Sequence, residues 1–221
     1  MTLSMNKMIV SNAYWRITCR GFHVLTSVLL LSSCAALSGS QVASQNIYVL
    51  DAQATFQTTQ VKRDFVLAIS QPQARPGFDT SQMAYVRQPH ELNYFVTSRW
   101  ADTPARMLGP LLVQAMEQSG GFRAIVQTPG AIPADVRLDI ELIRLWHDFA
   151  THPSRVQLTL RAQLIDVRGQ KVLAVKQFDE VENAASDDAY GGVTAINRVL
   201  QRMLDQLADF SVNESVVPKL R

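Results

Sequence analysis

The chain contains few of the residue types from which most enzymatic and metal sites are built. Of its 221 residues, only two are cysteine and four are histidine. Both cysteines, Cys19 and Cys34, lie in the first 34 residues, so the rest of the chain has no thiol for a disulfide, a metal or a nucleophile. A domain without disulfides depends on its hydrophobic core, and about 190 residues are enough to form one as a single domain.

The first 50 residues contain no acidic side chain and no apolar run long enough to cross a membrane. The short apolar core around 24–31 is well below the roughly 20 apolar residues that a transmembrane helix needs. Basic residues followed by such a core are typical of a cleaved export signal. The basic residues are Lys7, Arg16 and Arg20. The basic region is long, so three start codons fit the pattern: Met1, Met5 and Met8.

A lipoprotein signal motif ends the apolar core, in the order Leu31, Ser32, Ser33, Cys34. Lipoprotein signal peptidase accepts an apolar residue three positions before a cysteine, followed by two small residues. We therefore predict cleavage before Cys34 and a covalent lipid on its sulfur. The alternative is an ordinary secretory signal with a chance cysteine nearby. Ala35, rather than Asp, follows the cysteine, which favours transfer to the periplasmic face of the outer membrane.

The positive charge of the chain belongs to this leader. The full sequence has 21 basic and 19 acidic residues. Residues 1–33 remove three of the basic ones, which leaves 18 basic and 19 acidic residues, a net charge of −1. The remaining chain is therefore not basic and gives no indication of a nucleic-acid partner.

The domain organisation follows from the same patterns. We predict a signal peptide over 1–33 and a lipidated cysteine with a flexible tether over 34–46, because the latter segment is small and polar. A single periplasmic domain is predicted over 47–212, with a C-terminal tail over 213–221.

Short β-rich runs dominate the first half of this domain. Strands are expected at 47–50, 65–69, 83–87, 92–95 and 122–126. The run 65–69 is continuously apolar, which favours a central strand that is buried on both faces. Segment 71–77 is predicted to be a loop because it holds two prolines and a glycine. The third and fourth strands are predicted to form a hairpin around 88–90.

Two helices are predicted, one in each half of the domain. The first is capped by Asp102 or Thr103, has Pro104 at its first position and ends at 120–121. Pro110 inside the pattern predicts a kink or a late start. The second helix is predicted over 186–210, where apolar residues recur at helical spacing.

Three long strands are predicted between the helices. Apolar and polar residues alternate over 136–142 and again over 156–164, so each strand has one buried face. The phase slips at Ile143, which predicts a bulge near Leu142. A turn over 166–170, in which Gly169 is free to take a positive φ, leads to a third strand over 172–178. The predicted fold class is α+β: a two-layer sandwich whose mostly antiparallel sheet has two helices packed on one face.

No recognised catalytic motif is present, and we predict a protein that is not an enzyme and has no cofactor beyond its lipid. Asp139 and Glu141 lie on one face of their strand, where Arg137 and Arg161 are expected as cross-strand partners. No metal site is predicted, although one candidate was considered. His147, His152 and Asp148 flank a loop without a fourth ligand nearby. The sequence Ser119–Gly120–Gly121 is interpreted as a helix stop rather than a nucleophile.

The order of several short motifs resembles the ABC-type transport auxiliary lipoproteins, the PqiC-like family that accompanies MCE-domain proteins. The segments that carry the resemblance are 48–50, 75–85, 92–95, 99–101, 121–122 and 134–138. The lipoprotein motif also stands where the family has it. Gly109–Pro110 departs from the helix-forming residues expected there, which leaves the local geometry open.

The resemblance implies a non-catalytic lipoprotein that docks the periplasmic end of an MCE assembly, which conducts lipids between membranes. The alternative function is an accessory lipoprotein of outer-membrane or cell-wall assembly that binds a different envelope protein. A homo-oligomer would suit docking onto a symmetric MCE assembly. We predict a partner-binding surface of exposed aromatic and arginine residues: Arg75, Tyr85, Arg87, Tyr94, Arg99 and Trp100. For Trp100, a place in the core is the alternative.

Overall fold

The computed structural model describes residues 44–55, 62–130 and 132–215. The predicted signal peptide, Cys34 and most of the tether lie outside the described residues, so these assignments stay predictions. The described strands are β1 Asn46–Tyr48, β2 Arg63–Ser70, β3 Gln73–Ala74, β4 Gln82–Val86, β5 Asn93–Trp100, β6 Phe122–Thr128, β7 Val136–Asp148, β8 Arg155–Asp166 and β9 Lys171–Asn183. The described helices are α1 Pro104–Ser119 and α2 Ala189–Glu214.

The strand β7 connects the two halves of the sheet. One of its edges pairs antiparallel with β8 along the whole strand. Its other edge is shared by three strands that run parallel to it, with β2 at its start, β3 in the middle and β4 at its end. Beyond them, β6 pairs with β2, β5 pairs with β4, and β1 pairs with β5. The longest ladders, β7 with β8 and β8 with β9, are antiparallel, so most paired residues are antiparallel, as predicted.

Alternation along β7 separates the two faces of the sheet. Val136, Leu138, Ile140 and Leu142 are buried on one face, while the side chains between them are only half-buried. The register shifts between Leu142 and Arg144, which confirms the predicted bulge, and the buried set continues with Leu145 and His147. We call the face with the buried residues the helix face and the opposite one the open face. The phase slip at Ile143 is thus absorbed by one extra residue.

Both helices cover the helix face, which confirms the predicted two-layer α+β fold. The helix α1 packs against β2 and β6, α2 packs against β8 and β9, and the two helices touch. The side chains of Leu112 and Met116 in α1 and of Leu200 and Met203 in α2 are completely buried. Each contributes roughly 1.5–3 kcal/mol relative to an exposed side chain, so the apolar stripes of the helices supply much of the stabilisation.

The ends of α1 follow the predicted signals. Thr103 is its extended N-cap, Pro104 opens the helix, and Gly120 ends it at φ 64°, where its N–H donates to the carbonyl of Glu117. Only a residue without a Cβ adopts this left-handed conformation at little cost. The helix starts at Pro104 and continues through Pro110, whose side chain is exposed, so it does not start late.

Several boundaries differ from the predicted ones. The predicted loop 71–77 contains the two-residue strand β3, which extends the edge of β7 beyond the break at Pro72. In the β8–β9 turn the positive φ belongs to Gln170, at 49°, and not to Gly169, whose N–H donates to Asp166 Oδ1 at 2.9 Å. The prediction for Gly169 was therefore wrong.

The last strand and the last helix are both longer at their C-terminal ends than predicted. The strand β9 continues to Asn183 because Glu180 and Glu182, on its helix face, bond to polar side chains of α2. The helix α2 begins after Asp188, whose carboxylate accepts the Gly191 N–H at 2.7 Å, and runs to Glu214.

We predict that adding a methyl group destabilises the domain at one helical glycine and is close to neutral at another. A Cβ at Gly192 of α2 would lie 2.5 Å from His147 Nδ1, whereas a Cβ at Gly109 of α1 would make ordinary contacts at 3.7 Å. Overpacking costs about 1–3 kcal/mol and outweighs the helix-propensity gain of about 1 kcal/mol. Gly192→Ala should therefore lower the free energy of unfolding, measured by urea denaturation.

The matched control is Gly109→Ala, which should stay within about 1 kcal/mol of the wild-type stability, since the propensity gain is offset by the restriction that Pro110 imposes. Equal stabilities for the two variants would contradict close packing of α2 on His147.

Candidate functional site

Four aromatic rings meet where β4, β5 and β7 lie side by side. We call Tyr85, Phe95, His147 and Phe149 the aromatic cluster. The ring centroids of Tyr85 and Phe95 are 4.9 Å apart, and those of His147 and Phe149 are 4.1 Å apart. Tyr85 also meets Phe149 edge-on at 5.8 Å. Tilted and edge-on pairs at these separations are favourable beyond their burial alone.

The pairing of β4 with β7 builds this cluster. Tyr85 lies directly opposite His147 in the parallel register, which places both side chains on the same face of the sheet. Just after β7, the Phe149 N–H donates to the carbonyl of Val86 at 2.9 Å and holds its ring beside the other two. Phe95 enters from β5, which forms the predicted hairpin with β4.

The cluster is partly open to solvent. Tyr85, Phe95 and Phe149 are half-buried, whereas His147 is only 2 % exposed. The exposed Arg87 places its guanidinium 5.4 Å from the centroid of the Tyr85 ring. Accessible aromatic rings with an adjacent arginine are the side chains that most often anchor protein interfaces. The cluster with Arg87 is therefore the strongest candidate for a binding surface in the described part of the chain.

The structure does not gather the six predicted surface residues into one patch. Tyr85 and Arg87 belong to the cluster. Arg75 lies on the open face, paired with Glu141, and Arg99 is exposed on β5. The half-buried Tyr94 donates its hydroxyl to the carbonyl of Gly77 at 3.0 Å, which fixes the loop before β4.

Trp100 is a core residue, so its assignment to the binding surface was wrong. Only 2 % of its surface is exposed. It ends β5 on the same side as the buried Ser98, and its backbone N–H donates to the carbonyl of Ser81 at 2.8 Å. The core alternative for this tryptophan is confirmed.

Phe95, His147 and Phe149 were not predicted as surface residues. They come from two strands that are about 50 residues apart in sequence, and no motif connects them. The one available signal was the aromatic character of the 92–95 run. In the sequence His147 is a candidate metal ligand with His152 and Asp148; among the described residues no group of three His, Cys, Asp or Glu side chains is arranged to hold a metal ion.

A polar groove of about 560 Å³ lies on the open face between β3 and β8. Arg137 donates two hydrogen bonds to Asp139, at 2.9 and 3.0 Å, and Arg75 donates to Glu141 at 2.9 Å. Arg161 lies 4.0 Å from Glu141 and directly opposite it on β8, as predicted. Arg137 instead pairs within its own strand. Both carboxylates are thus engaged by arginine, the arrangement expected of a structural surface.

His147 and Ser154 form a buried pair beneath the start of α2. His147 Nε2 lies 2.8 Å from Ser154 Oγ, and Ser154 is completely buried. His147 Nδ1 has no hydrogen-bond partner among the described residues, so the Nε2–H tautomer leaves no N–H of the imidazole unpaired. Burial lowers the pKa of His147, and the nearby carboxylates of Asp187 and Asp188 oppose this shift. The geometry keeps the imidazole neutral and inaccessible to a substrate.

Replacing Trp100 with alanine should destabilise the domain. Removing a buried tryptophan side chain costs about 3–5 kcal/mol in free energy of unfolding, because contacts are lost and a cavity remains. Urea denaturation measures this change. The control is Arg99→Ala at the adjacent exposed position, which should change stability by less than about 0.5 kcal/mol. A Trp100→Ala variant as stable as wild type would argue against a core position.

His147 should make stability depend on pH below neutrality. Because its pKa is lowered in the folded state, the unfolded chain binds an extra proton once the pH falls below 6.5. The free energy of unfolding should therefore decrease from that pH towards the folded-state pKa, by at most about 1.4 kcal/mol per pH unit. Urea midpoints at about pH 7.5 and about pH 5.5 should differ more for wild type than for His147→Gln. Equal differences would contradict a buried neutral imidazole.

In the described part of the chain, neither helix combines the length and hydropathy that a membrane span needs. No curated protein matches this chain. A solved structure from Xanthomonas campestris, of the DUF330 family, is similar with a TM-score of 0.71 and 22 % identity, over 76 % of this chain and 96 % of that one. A second solved structure, of an uncharacterized protein, has a TM-score of 0.60 and 12 % identity, over 75 % and 97 % of the two chains. At these identities the likeness shows the fold alone.

The family comparison reaches further than the fold. The sequence model for the ABC-type transport auxiliary lipoprotein component matches residues 48–208. The match runs from the end of β1 into α2 and thus includes α1, all three long strands and most of α2. The chain therefore belongs to the ABC-type transport auxiliary lipoprotein family.

Proposed function

We propose that this lipoprotein is the non-catalytic auxiliary component of an MCE/ABC-type intermembrane lipid transport system. It docks the MCE assembly at the outer membrane. The observation that carries the proposal is the family match over 48–208, which extends over nearly the whole described domain. The choice of an MCE-domain protein as the partner is more specific than the family match, and it rests on the PqiC-like pattern of motifs.

The proposed anchor is the lipid on Cys34, at the periplasmic face of the outer membrane. Several acyl chains hold a protein firmly on a bilayer, whereas one gives only marginal binding. Eleven residues, 35–45, separate Cys34 from the start of β1. Fully extended, they span at most about 40 Å, so the start of β1 stays within that distance of the anchor.

The proposed docking surface is the aromatic cluster with Arg87. The rings of Tyr85, Phe95 and Phe149 are partly exposed, and each is held in place by a strand or by a backbone hydrogen bond, so binding would cost little conformational entropy. Arg75 and Arg99 are exposed outside the cluster and stay candidates for separate contacts. Tyr94 and Trp100 are engaged inside the domain and are left out.

Co-purification tests the function. The acylated protein is extracted from outer membranes in mild detergent, and the proteins bound to it are identified by mass spectrometry, with Cys34→Ala as the control for anchoring. Enrichment of an MCE-domain protein is the expected result. Recovery of a cell-wall synthase or of outer-membrane assembly factors would instead favour the alternative accessory function and would overturn the proposal.

Two substitutions test the docking surface. Tyr85→Ala and Arg87→Glu should each weaken capture of the MCE protein by at least about tenfold, since anchor residues typically contribute 2 kcal/mol or more. The matched control is Arg106→Glu on α1, an exposed arginine outside the cluster. Melting temperatures identify any variant that fails because it does not fold. Unchanged capture by well-folded Arg87→Glu would exclude this surface even if the MCE partner is found.

A further inference from the structure

Exposed apolar side chains gather where the chain enters the domain. Ten large apolar side chains in the described part of the chain are exposed, and four of them lie on or just after β1, on β5 beside it and at the start of α2: Ile47, Val49, Val96 and Tyr190. We call these four residues the entry patch. Val96 is 83 % exposed and Tyr190 is 67 % exposed, the two highest values of the ten. A group of exposed apolar side chains, unlike a single one, marks an interaction surface.

Contacts of the first described residues bring the entry patch together. Ile47, Val49 and Tyr190 line one groove of about 670 Å³ between α2 and the chain that follows β1. Just before β1, the side-chain amide of Gln45 donates to the carbonyl of Val96 at 3.2 Å. The patch is therefore formed by three segments that are far apart in sequence and meet at the beginning of the described domain.

The polar groups beside the patch suit the interface of a bilayer. In the parallel register Arg99 lies opposite Ile47, and both are exposed on the same face of the sheet. An arginine in this position can lay its apolar stem on acyl chains while its guanidinium stays among the headgroups. Tyr190 combines an apolar ring with a hydroxyl, as do the aromatic residues enriched at membrane–water interfaces. Among the described residues that line the groove, only Asp51 and Arg198 are charged.

The topology places the patch at one end of the sheet. Because β1 is parallel to β5, its first residue, Asn46, is nearer to the start of β5 than its last residue, Tyr48. The start of β5 pairs with the end of β4, which lies beside His147 at the end of β7. The helix α2 begins at this end too, since a Cβ at Gly192 would touch His147. The chain enters the domain, and α2 starts, at the end of the sheet where β7 ends.

We propose that the entry patch lies on the lipid bilayer to which the chain is anchored, with Val96 and Tyr190 in the layer between headgroups and acyl chains. The proposal rests on the lipid anchor of the proposed function. Only eleven residues, 35–45, separate Cys34 from β1. An apolar surface so close to the point of attachment meets the bilayer at high effective concentration, so individually weak contacts are enough to hold it there.

The aromatic cluster and the entry patch have no residue in common. The cluster lies at the same end of the sheet, on the helix face. A partner docked on the cluster would therefore lie beside the bilayer, as delivery of lipid to the membrane requires. The patch thus orients the proposed docking surface, which a lipid anchor on a flexible tether alone would not do.

The β8–β9 hairpin offers a matched control at the opposite end of the sheet. Val172 is exposed, like Val96, and lies on a strand. It pairs with Ile165, which lies opposite Arg137 near the start of β7. From Arg137 to His147 the strand β7 extends over about 30 Å, so a bilayer in contact with the entry patch does not reach Val172.

Fluorescence quenching by spin-labelled lipids tests the contact. The acylated protein, processed from the full chain, is reconstituted through its own lipid into vesicles of phosphatidylethanolamine and phosphatidylglycerol. A fluorophore is attached to Val96→Cys or, as the control, to Val172→Cys; acylated Cys34 does not react. Side chains in the interface lie about 5–10 Å deep, so nitroxides at the top of the acyl chains should quench the Val96→Cys label at least about twofold more than the control.

Flotation of the vesicles separates two ways in which the experiment can fail. Equal quenching of the two labels in protein that floats with the vesicles would overturn the entry patch and leave the anchor intact. Protein that does not float has no lipid anchor, and this result would overturn the anchoring in the proposed function together with the patch.

Removal of apolar side chains tests the contact independently. Ile47→Ser/Tyr190→Ser, introduced beside Val96→Cys, should reduce the quenching by about half, because interfacial binding scales with the apolar area buried. Val175→Ser/Val181→Ser removes two exposed valines of β9 and should leave the quenching unchanged. Melting temperatures show that both variants are folded. Equal quenching in the two folded variants would also overturn the proposal.

Discussion

The backbone pairing of β7 on both of its edges is the constraint on which the domain depends. One edge carries β8 and, beyond it, β9, while the other carries β2, β3 and β4 in succession. The N-terminal and C-terminal halves of the domain therefore come together only when segments distant in sequence have paired with this strand. Such long-range pairing costs loop-closure entropy before any contact repays it, so slow folding is expected of this topology.

The same pairing produces the candidate surface. Tyr85 and His147 are 62 residues apart in the chain, and the parallel contact between β4 and β7 makes them neighbours. The rings beside them are held by the hairpin to β5 and by a single backbone bond after β7. A binding surface formed in this way is as rigid as the sheet, although its residues come from strand ends and loops.

Local sequence patterns predicted where the strands and helices lie better than they predicted which strands pair with one another. Alternation over 136–142 and the phase slip at Ile143 were enough to locate β7 and its bulge, since burial of one face leaves little choice of register. The sequence could not indicate that three parallel strands share one edge, because parallel pairing has no local signal. Trp100 is buried because it lies on the same side of β5 as the buried Ser98. The sequence did not reveal this side, because the pairing of β5 with β4 is interrupted by a bulge.

The position of β1 has a mechanical consequence. The segment predicted to be a tether leads directly into this strand, which pairs with β5 through three residues only. Two further hydrogen bonds join the chain just after it to Asn197 of α2. If the predicted lipid on Cys34 anchors the chain, a pull on the N-terminus loads this short ladder before any other. Under tension β1 would detach before the ladders of β7, which lengthens the tether by several residues and leaves the aromatic cluster in place.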